Sequence, residues 1–299
     1  MGVLVFSLQD LIIKKVSGSY SLSQVVFIRS VVAMILLGAL VLQDVGFRRL
    51  LSSQMKPLLI RAGVMFLSYT AYYMAFPALP LASAVALYFT VPLFVTLLAV
   101  LMLGEKPHPN LLWAIAIGFA GVLFMLQPGS ALFQPAALLS LFSALAYSLA
   151  MVKTRQLSET EPNSVIAFTQ NLGFMIGCLL LAIFLCLFPQ TDWSHPSMVF
   201  LLRPWGNIPW PDMLLIGATG VVASVGIVLL NGAYHIGPAN RVGAFEYTGI
   251  LWAPMWGYLF FQEVPVSQTI WGACAIIAAG LLVLQPQKTL IHEQDRHPH

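Results

Sequence analysis

The chain has 299 residues, of which 59% are hydrophobic and only 8% are charged, and its formal net charge is +3. Soluble domains carry about 25% charged residues, so this composition excludes an ordinary soluble protein and indicates an integral membrane protein. The small net charge also excludes the basic surface of a nucleic-acid-binding protein.

Ten stretches are apolar and long enough to be considered as membrane-spanning helices, each of which needs roughly 20 residues. We therefore predict an all-α integral membrane fold with ten transmembrane helices and short connecting loops. In chain order the predicted spans are 2–16, 22–42, 58–77, 81–103, 111–126, 135–153, 164–188, 211–235, 240–261 and 268–285.

An internal repeat links the two halves of the chain. Residues 75–128 align without a gap on 233–286, and 14 of the 54 aligned positions are identical. The matches include Glu105 with Glu263 and Trp113 with Trp271. Matched polar and aromatic residues at one offset indicate a duplicated transporter rather than chance similarity between apolar helices.

The distribution of basic residues predicts the orientation. With both termini in the cytoplasm, ten Lys and Arg residues lie at cytoplasmic positions and three lie outside. Five helices per half is an odd number, so the second half must be inverted, and the two halves then enclose a site near the membrane midplane. We predict a first repeat over 1–129, an inverted repeat over 130–287 and a cytoplasmic tail over 288–299.

The repeated turn carries a family resemblance. Gly104-Glu105-Lys106-Pro107 is followed by Trp113, and Gln262-Glu263-Val264-Pro265 is followed by Trp271. These motifs resemble the ten-helix drug/metabolite transporter superfamily, in proteins built from two EamA-type domains. The resemblance implies an inner-membrane exporter or exchanger of amino acids or other small metabolites, and the chain looks similar to aromatic amino acid exporters. It also implies that spans 1, 3, 4, 6, 8 and 9 surround a central cavity.

Glu246 is one of two carboxylates predicted to lie well inside a span, where a charge needs a functional or structural reason. The repeat places Glu246, Tyr247 and Thr248 on Tyr88, Phe89 and Thr90. Glu246 is predicted to bind a substrate ammonium group, a proton or both. The alternative is a structural partner for Arg241 or for a hydroxyl group on a neighbouring helix.

Asp10 is the other intramembrane carboxylate. Lys14 lies one helical turn away, and Arg29 has a similar predicted depth on the second span. The three side chains are predicted to form an ion-pair group between adjacent helices. A direct role in binding substrate or a proton is the alternative.

Aromatic and polar side chains suggest the lining of the cavity. Tyr69 and Tyr73 belong to an aromatic stripe on one face of the third span, and a tyrosine hydroxyl in mid-membrane needs a polar partner. Tyr88, Tyr147, Thr90 and Asn231 complete the predicted substrate site. Pro92 and Pro254 each remove a helix hydrogen bond, so they are predicted kinks that could serve as gates.

These patterns favour a secondary transporter that exports amino acids, aromatic or large neutral ones in particular, by alternating access. A multidrug, nucleotide-sugar or vitamin transporter of the same fold is the alternative. None of the six histidines is placed to form a mid-membrane catalytic site, so an enzyme is disfavoured, and no metal or cofactor is expected. The predicted partners are a small-molecule substrate and the lipid bilayer, without nucleic acid, for a protein that acts as a monomer.

Overall fold

The computed structural model describes residues 2–51, 54–104, 110–128, 134–188, 193–237, 242 and 249–284. Regular structure in this part of the chain consists of helices joined by short connections. The helices are α1 (Gly2–Val16), α2 (Leu22–Asp44), a 3₁₀ turn (Phe47–Leu51), α3 (Met55–Ala75), α4 (Leu81–Tyr88), α5 (Val91–Leu103), α6 (Leu111–Leu126), α7 (Ala136–Leu157), α8 (Asn163–Leu187), α9 (Pro196–Leu202), α10 (Trp210–Ile236), α11 (Gly249–Phe261) and α12 (Ser267–Leu284).

Each predicted span coincides with helical structure over the residues that the structure describes, which for the span 240–261 means mainly Gly249–Phe261. Six helical stretches in the described residues are long and apolar enough to cross a membrane, counting α4 and α5 together, and α6 and α12 are shorter apolar helices. The connection between the seventh and eighth predicted spans contains the short helix α9. The fold is therefore an all-α integral membrane bundle.

The fourth predicted span is two helices rather than one. α4 ends at Tyr88 and α5 begins at Val91, with Pro92 in the first turn of α5. Proline has no N–H group and cannot bond the Tyr88 carbonyl four residues back, which explains a break at this point. Pro254 behaves differently, because α11 is assigned as one helix on both sides of it.

Helix packing is symmetric between the two halves. The counterparts are α1 and α7, α2 and α8, α3 and α10, α4–α5 and α11, and α6 and α12. When each helix is replaced by its counterpart, each of the following contacts between the halves has an equivalent contact. The α3–α7 contact corresponds to α10–α1, the α3–α8 contact to α10–α2, and the α5–α7 contact to α11–α1. Helices α2 and α8, α4 and α11, and α6 and α12 pack directly on their own counterparts. This is the arrangement expected of two inverted five-helix repeats.

The first residue of the repeated turn has the same left-handed backbone conformation in both copies despite its different identity. Gly104, which ends α5, has φ 67°, and its counterpart Gln262 after α11 has φ 56°. The left-handed conformation costs a non-glycine residue roughly 1–2 kcal/mol. The second copy therefore retains the turn although it lacks the glycine.

Close packing of α8 on α3 positions one wall of the bundle. A Cβ at Gly173 would lie 2.6 Å from the Cβ of Ala62, and a Cβ at Gly177 would lie 2.8 Å from the ring of Phe66. Small residues allow such an approach between membrane helices. The contact brings Phe174 of α8 to 5.2 Å from Tyr69 of α3, measured between ring centroids.

Candidate functional site

A central cavity lies among six helices, α1, α3, α4, α7, α10 and α11. With its open mouth it contains about 680 Å³ of space not filled by protein atoms. The helices correspond to spans 1, 3, 4, 6, 8 and 9, which is the set implied by the family resemblance. The lining residues are Val3, Phe6, Ser7, Asp10, Tyr69, Tyr72, Leu81, Val85, Tyr88, Phe89, Ser143, Tyr147, Leu230, Gly249, Ala253 and Trp256.

Asp10 supplies the carboxylate of this cavity wall. Its Oδ2 accepts a hydrogen bond of 2.9 Å from the Tyr72 hydroxyl. One turn away, the Ser7 hydroxyl accepts a 3.1 Å bond from the indole N–H of Trp256. A carboxylate surrounded by aromatic rings is suited to a positively charged or hydrogen-bond-donating group of a ligand.

The structure does not join Asp10, Lys14 and Arg29 into one ion-pair group, although Asp10 attracts Arg29 electrostatically without a direct contact. Lys14 Nζ instead lies 2.6 Å from Glu263 Oε1 and donates a 2.9 Å bond to the Leu79 carbonyl. Lys14 lies one turn closer than Asp10 to the end of α1, where these two acceptors are available. Within the described residues, Arg29 forms no ion pair with a carboxylate and lies over the rings of Tyr69 and Phe174.

Glu263 joins three parts of the bundle at one end of the cavity. Its Oε1 binds Lys14 at the end of α1, and its Oε2 accepts a 2.8 Å bond from the backbone N–H of Leu81 in the first turn of α4. A carboxylate at a helix N-terminus satisfies an N–H group that has no partner within the helix. Glu263 therefore fixes α1 and α4 to the connection between α11 and α12.

Because the Lys14–Glu263 pair is partly buried, the two side chains should be energetically coupled. Lys14→Met and Glu263→Gln should each lower the free energy of unfolding, and the double variant should lose less than the sum by roughly 0.5–3 kcal/mol. Thermal unfolding of the four purified proteins measures this coupling. Additive losses would show that the two residues act independently.

The face of α3 that lines the cavity differs from the predicted one. Tyr69 and Tyr72 line the cavity, whereas Tyr73 is fully buried beside it and its hydroxyl accepts a hydrogen bond from the Gln9 side chain. Tyr88 lies between Tyr72 and Tyr147, with ring-centroid distances of 4.5 Å and 5.6 Å. The structure therefore brings together the predicted residues Tyr69, Tyr88 and Tyr147 and adds Tyr72.

Thr90 and Asn231 are not part of the cavity lining. The Thr90 hydroxyl donates a 2.9 Å bond to the Leu87 carbonyl at the break between α4 and α5. Asn231 belongs to a buried cluster in which Arg61 donates 3.0 Å bonds to Asn231 and Gln170. Arg61 also donates a 2.6 Å bond to the Thr154 hydroxyl. Arg61 lies in the second turn of α3 and is fully buried.

Glu246, Tyr247 and Thr248 lie outside the described residues, so their predicted roles in binding remain predictions. The description of α11 begins at Gly249, which lines the cavity. A Cβ at Gly249 would lie 2.8 Å from a methyl group of Val3, which shows how closely α11 approaches α1 here.

Comparison with known proteins agrees with this arrangement of helices around a central cavity. A sequence profile of the EamA-like transporter family matches residues 1–127 and 134–285. The pseudopaline exporter CntI of Pseudomonas aeruginosa strain UCBPP-PA14 is 32% identical over 285 residues, which cover 95% of this chain and 93% of that protein.

Relatives with lower sequence identity carry names that specify other transported molecules. The S-adenosylmethionine uptake transporter of Rickettsia prowazekii is 23% identical, with 77% of this chain and 71% of that protein covered. The riboflavin transporter of Rhizobium johnstonii is 29% identical, with 76% and 69% covered. A protein of known crystal structure matches with a TM-score of 0.66 at 17% identity, covering 94% of each chain, which supports the fold.

Proposed function

The chain belongs to the EamA-like transporter family, and from this premise we propose that it exports amino acids with aromatic or large neutral side chains. It is a multi-pass membrane transporter of small metabolites and not an enzyme. The finer assignment of the cargo rests on the chemistry of the central cavity.

The observation that carries the proposal is a carboxylate set among aromatic rings. Asp10 can bind an ammonium group, and Tyr69, Tyr72 and Tyr88 offer ring faces to a flat or bulky side chain. Ring contacts contribute about 0.5–1.5 kcal/mol beyond the area they bury, and a cation over a ring contributes a similar amount or more. An amino acid with an aromatic side chain uses both features at once.

The related transporters support a small organic cargo. Their names specify pseudopaline, S-adenosylmethionine and riboflavin, and they include both an exporter and an uptake system. We propose export rather than uptake as the direction of transport, because the 32% identical relative is an exporter. We also propose that the protein lies in the inner membrane, which its long apolar helices and its transporter relatives support.

Alternating access is the proposed mechanism. We place both termini in the cytoplasm, so the Lys14–Glu263 pair lies at the outer end of the cavity. In this arrangement the pair holds α1 against α4 and the α11–α12 connection, and these contacts must separate for release to the outside. The break after Tyr88 and the proline within α11 supply places where the helices can bend.

Tyr69→Ala should selectively weaken the handling of aromatic cargo. Cells that produce the protein should resist toxic analogues of aromatic and large neutral amino acids, and removing the Tyr69 ring should reduce that resistance more for aromatic than for small analogues. The loss should be roughly threefold to tenfold, which corresponds to about 0.5–1.5 kcal/mol. Growth inhibition over a concentration series measures it.

Tyr258→Ala is the matched control, because Tyr258 is 58% exposed on α11 and does not line the cavity. It should leave resistance unchanged. Resistance to quaternary ammonium dyes alone, with none to amino acid analogues, would favour the multidrug alternative. Equal losses of resistance to aromatic and small analogues would show that Tyr69 does not recognise the side chain of the cargo.

A further inference from the structure

Arg29 is a buried cation without a hydrogen-bond partner in the described residues. Its side chain is 0% exposed, and none of its three guanidinium nitrogens has an acceptor within hydrogen-bond distance. Arginine stays protonated in proteins, so this position holds a fixed positive charge inside the bundle. Burying such a group is costly unless an anion or a hydrogen-bond acceptor compensates its charge.

The surroundings of Arg29 hold it beside the cavity. α10 packs against α2 so closely that a Cβ at Gly220 would lie 2.5 Å from the Arg29 carbonyl oxygen. The guanidinium carbon lies 5.1 Å from the ring centroid of Phe174 and 5.9 Å from that of Tyr69. Tyr69 itself lines the cavity, so this ring connects the buried cation to the space that receives the substrate.

No acidic side chain of the described residues forms a direct ion pair or hydrogen bond with Arg29, although Asp10 attracts it electrostatically from a greater distance. Asp10 is bonded by Tyr72, Asp44 by Ser164, Asp212 by Tyr20, and Glu263 by Lys14. Glu161 pairs with Arg49, and Glu159 is exposed. Within this part of the chain, the guanidinium donors therefore remain available to an anion that enters from the cavity.

We propose that Arg29 anchors the carboxylate of the substrate, with the Tyr69 side chain turning aside so that the two groups meet. The inference rests on the proposed function and extends it, because Asp10 then receives the ammonium group and Arg29 receives the carboxylate of one zwitterion. A planar guanidinium binds a carboxylate through two parallel hydrogen bonds, which makes it selective for this group. The cation–π contacts hold Arg29 in place when the site is empty.

The test uses two small ligands that differ only in charge, 3-phenylpropionate and its neutral amide 3-phenylpropionamide. Thermal unfolding of the purified full chain in lipid nanodiscs is followed while each ligand is titrated. The carboxylate should raise Tm in a saturable manner, and the amide should need roughly tenfold more ligand or more, as expected for loss of a charge-assisted hydrogen bond. Arg29→Met should abolish the difference between the two ligands, and Arg29→Lys should retain part of it.

Arg49→Gln is the matched control, since Arg49 is an exposed arginine on the 3₁₀ turn, and it should discriminate between the two ligands as the unmodified protein does. Without ligand, Arg29→Met should unfold at the same temperature as the unmodified protein or higher, because it removes a buried charge that has no ion-pair or hydrogen-bond partner among the described residues. A strong loss of stability in both Arg29→Met and Arg29→Lys would contradict the proposal by showing a structural partner.

The two proposals fail in distinguishable ways. If phenylpropionate binds through Arg29 but phenylalanine is not transported, the carboxylate anchor stands and the amino acid assignment fails. If phenylalanine is transported equally well by Arg29→Met, the assignment stands and the anchor fails. Equal binding of phenylpropionate and its amide to the unmodified protein would also overturn the anchor.

Discussion

Asp10→Asn should reduce transport by roughly tenfold to a hundredfold while the protein remains folded. Asp10 is the carboxylate among the described cavity-lining residues, and a hydrogen bond to a charged group contributes about 1.5–3 kcal/mol. Asparagine keeps the size of the side chain and can still accept the bond from Tyr72, so the change removes charge with little loss of packing. Initial rates of efflux from loaded proteoliposomes measure the effect.

Asp44→Asn is the control for this experiment. Asp44 lies at the end of α2, bonded by the Ser164 hydroxyl at 2.5 Å, and it is not part of the cavity. Its isosteric replacement should leave the rate of efflux close to that of the unmodified protein. Transport by Asp10→Asn at a similar rate would show that Asp10 does not bind the substrate.

Glu246→Gln should also abolish or strongly reduce transport. The repeat places Glu246 on Tyr88, which lines the cavity, and positions related by the inverted repeat are expected to face the centre together. Loss of a negative charge in a low-dielectric site should cost more than loss of a hydroxyl, so Glu246→Gln should be more severe than the matching Tyr88→Phe. The same efflux assay, with both variants reconstituted at equal density, compares them.

Two outcomes would argue against this role for Glu246. Near-normal efflux by Glu246→Gln would reduce the residue to a structural function. Equal losses in Glu246→Gln and Tyr88→Phe would show that the carboxylate charge is not what matters. In either case the Asp10 site would have to account for recognition of the ammonium group alone.

The helical bundle could be predicted from the sequence because hydropathy and the internal repeat are properties of whole segments. Within the described residues each predicted span coincides with helical structure, and Pro92 explains why one of them is divided. Hydropathy sets which segments cross the membrane, and the matched turns at Gly104 and Gln262 set the correspondence between the halves. Neither property depends on how an individual helix is rotated about its axis.

The details of the site depend on that rotation and on contacts between distant residues. Tyr72 and Tyr73 are neighbours on α3, and only packing against α7 and α8 together with hydrogen bonds to α1 decides which one faces the cavity. Lys14 and Glu263 are 249 positions apart, so no local spacing indicates their pairing. Arg61 lies in the second turn of α3, where a basic residue usually reaches water, and burial by α7, α8 and α10 reverses that expectation.

Counterflow tests the central claim most directly. Proteoliposomes that contain the purified protein are loaded with unlabelled phenylalanine and diluted into a trace of labelled phenylalanine without any ion gradient. We predict transient accumulation of label above equilibrium, which is lost with Asp10→Asn and competed by other large neutral amino acids but not by glycine. Equilibration without overshoot, for phenylalanine and every other amino acid supplied on both sides, would contradict the account of this protein as an amino acid carrier.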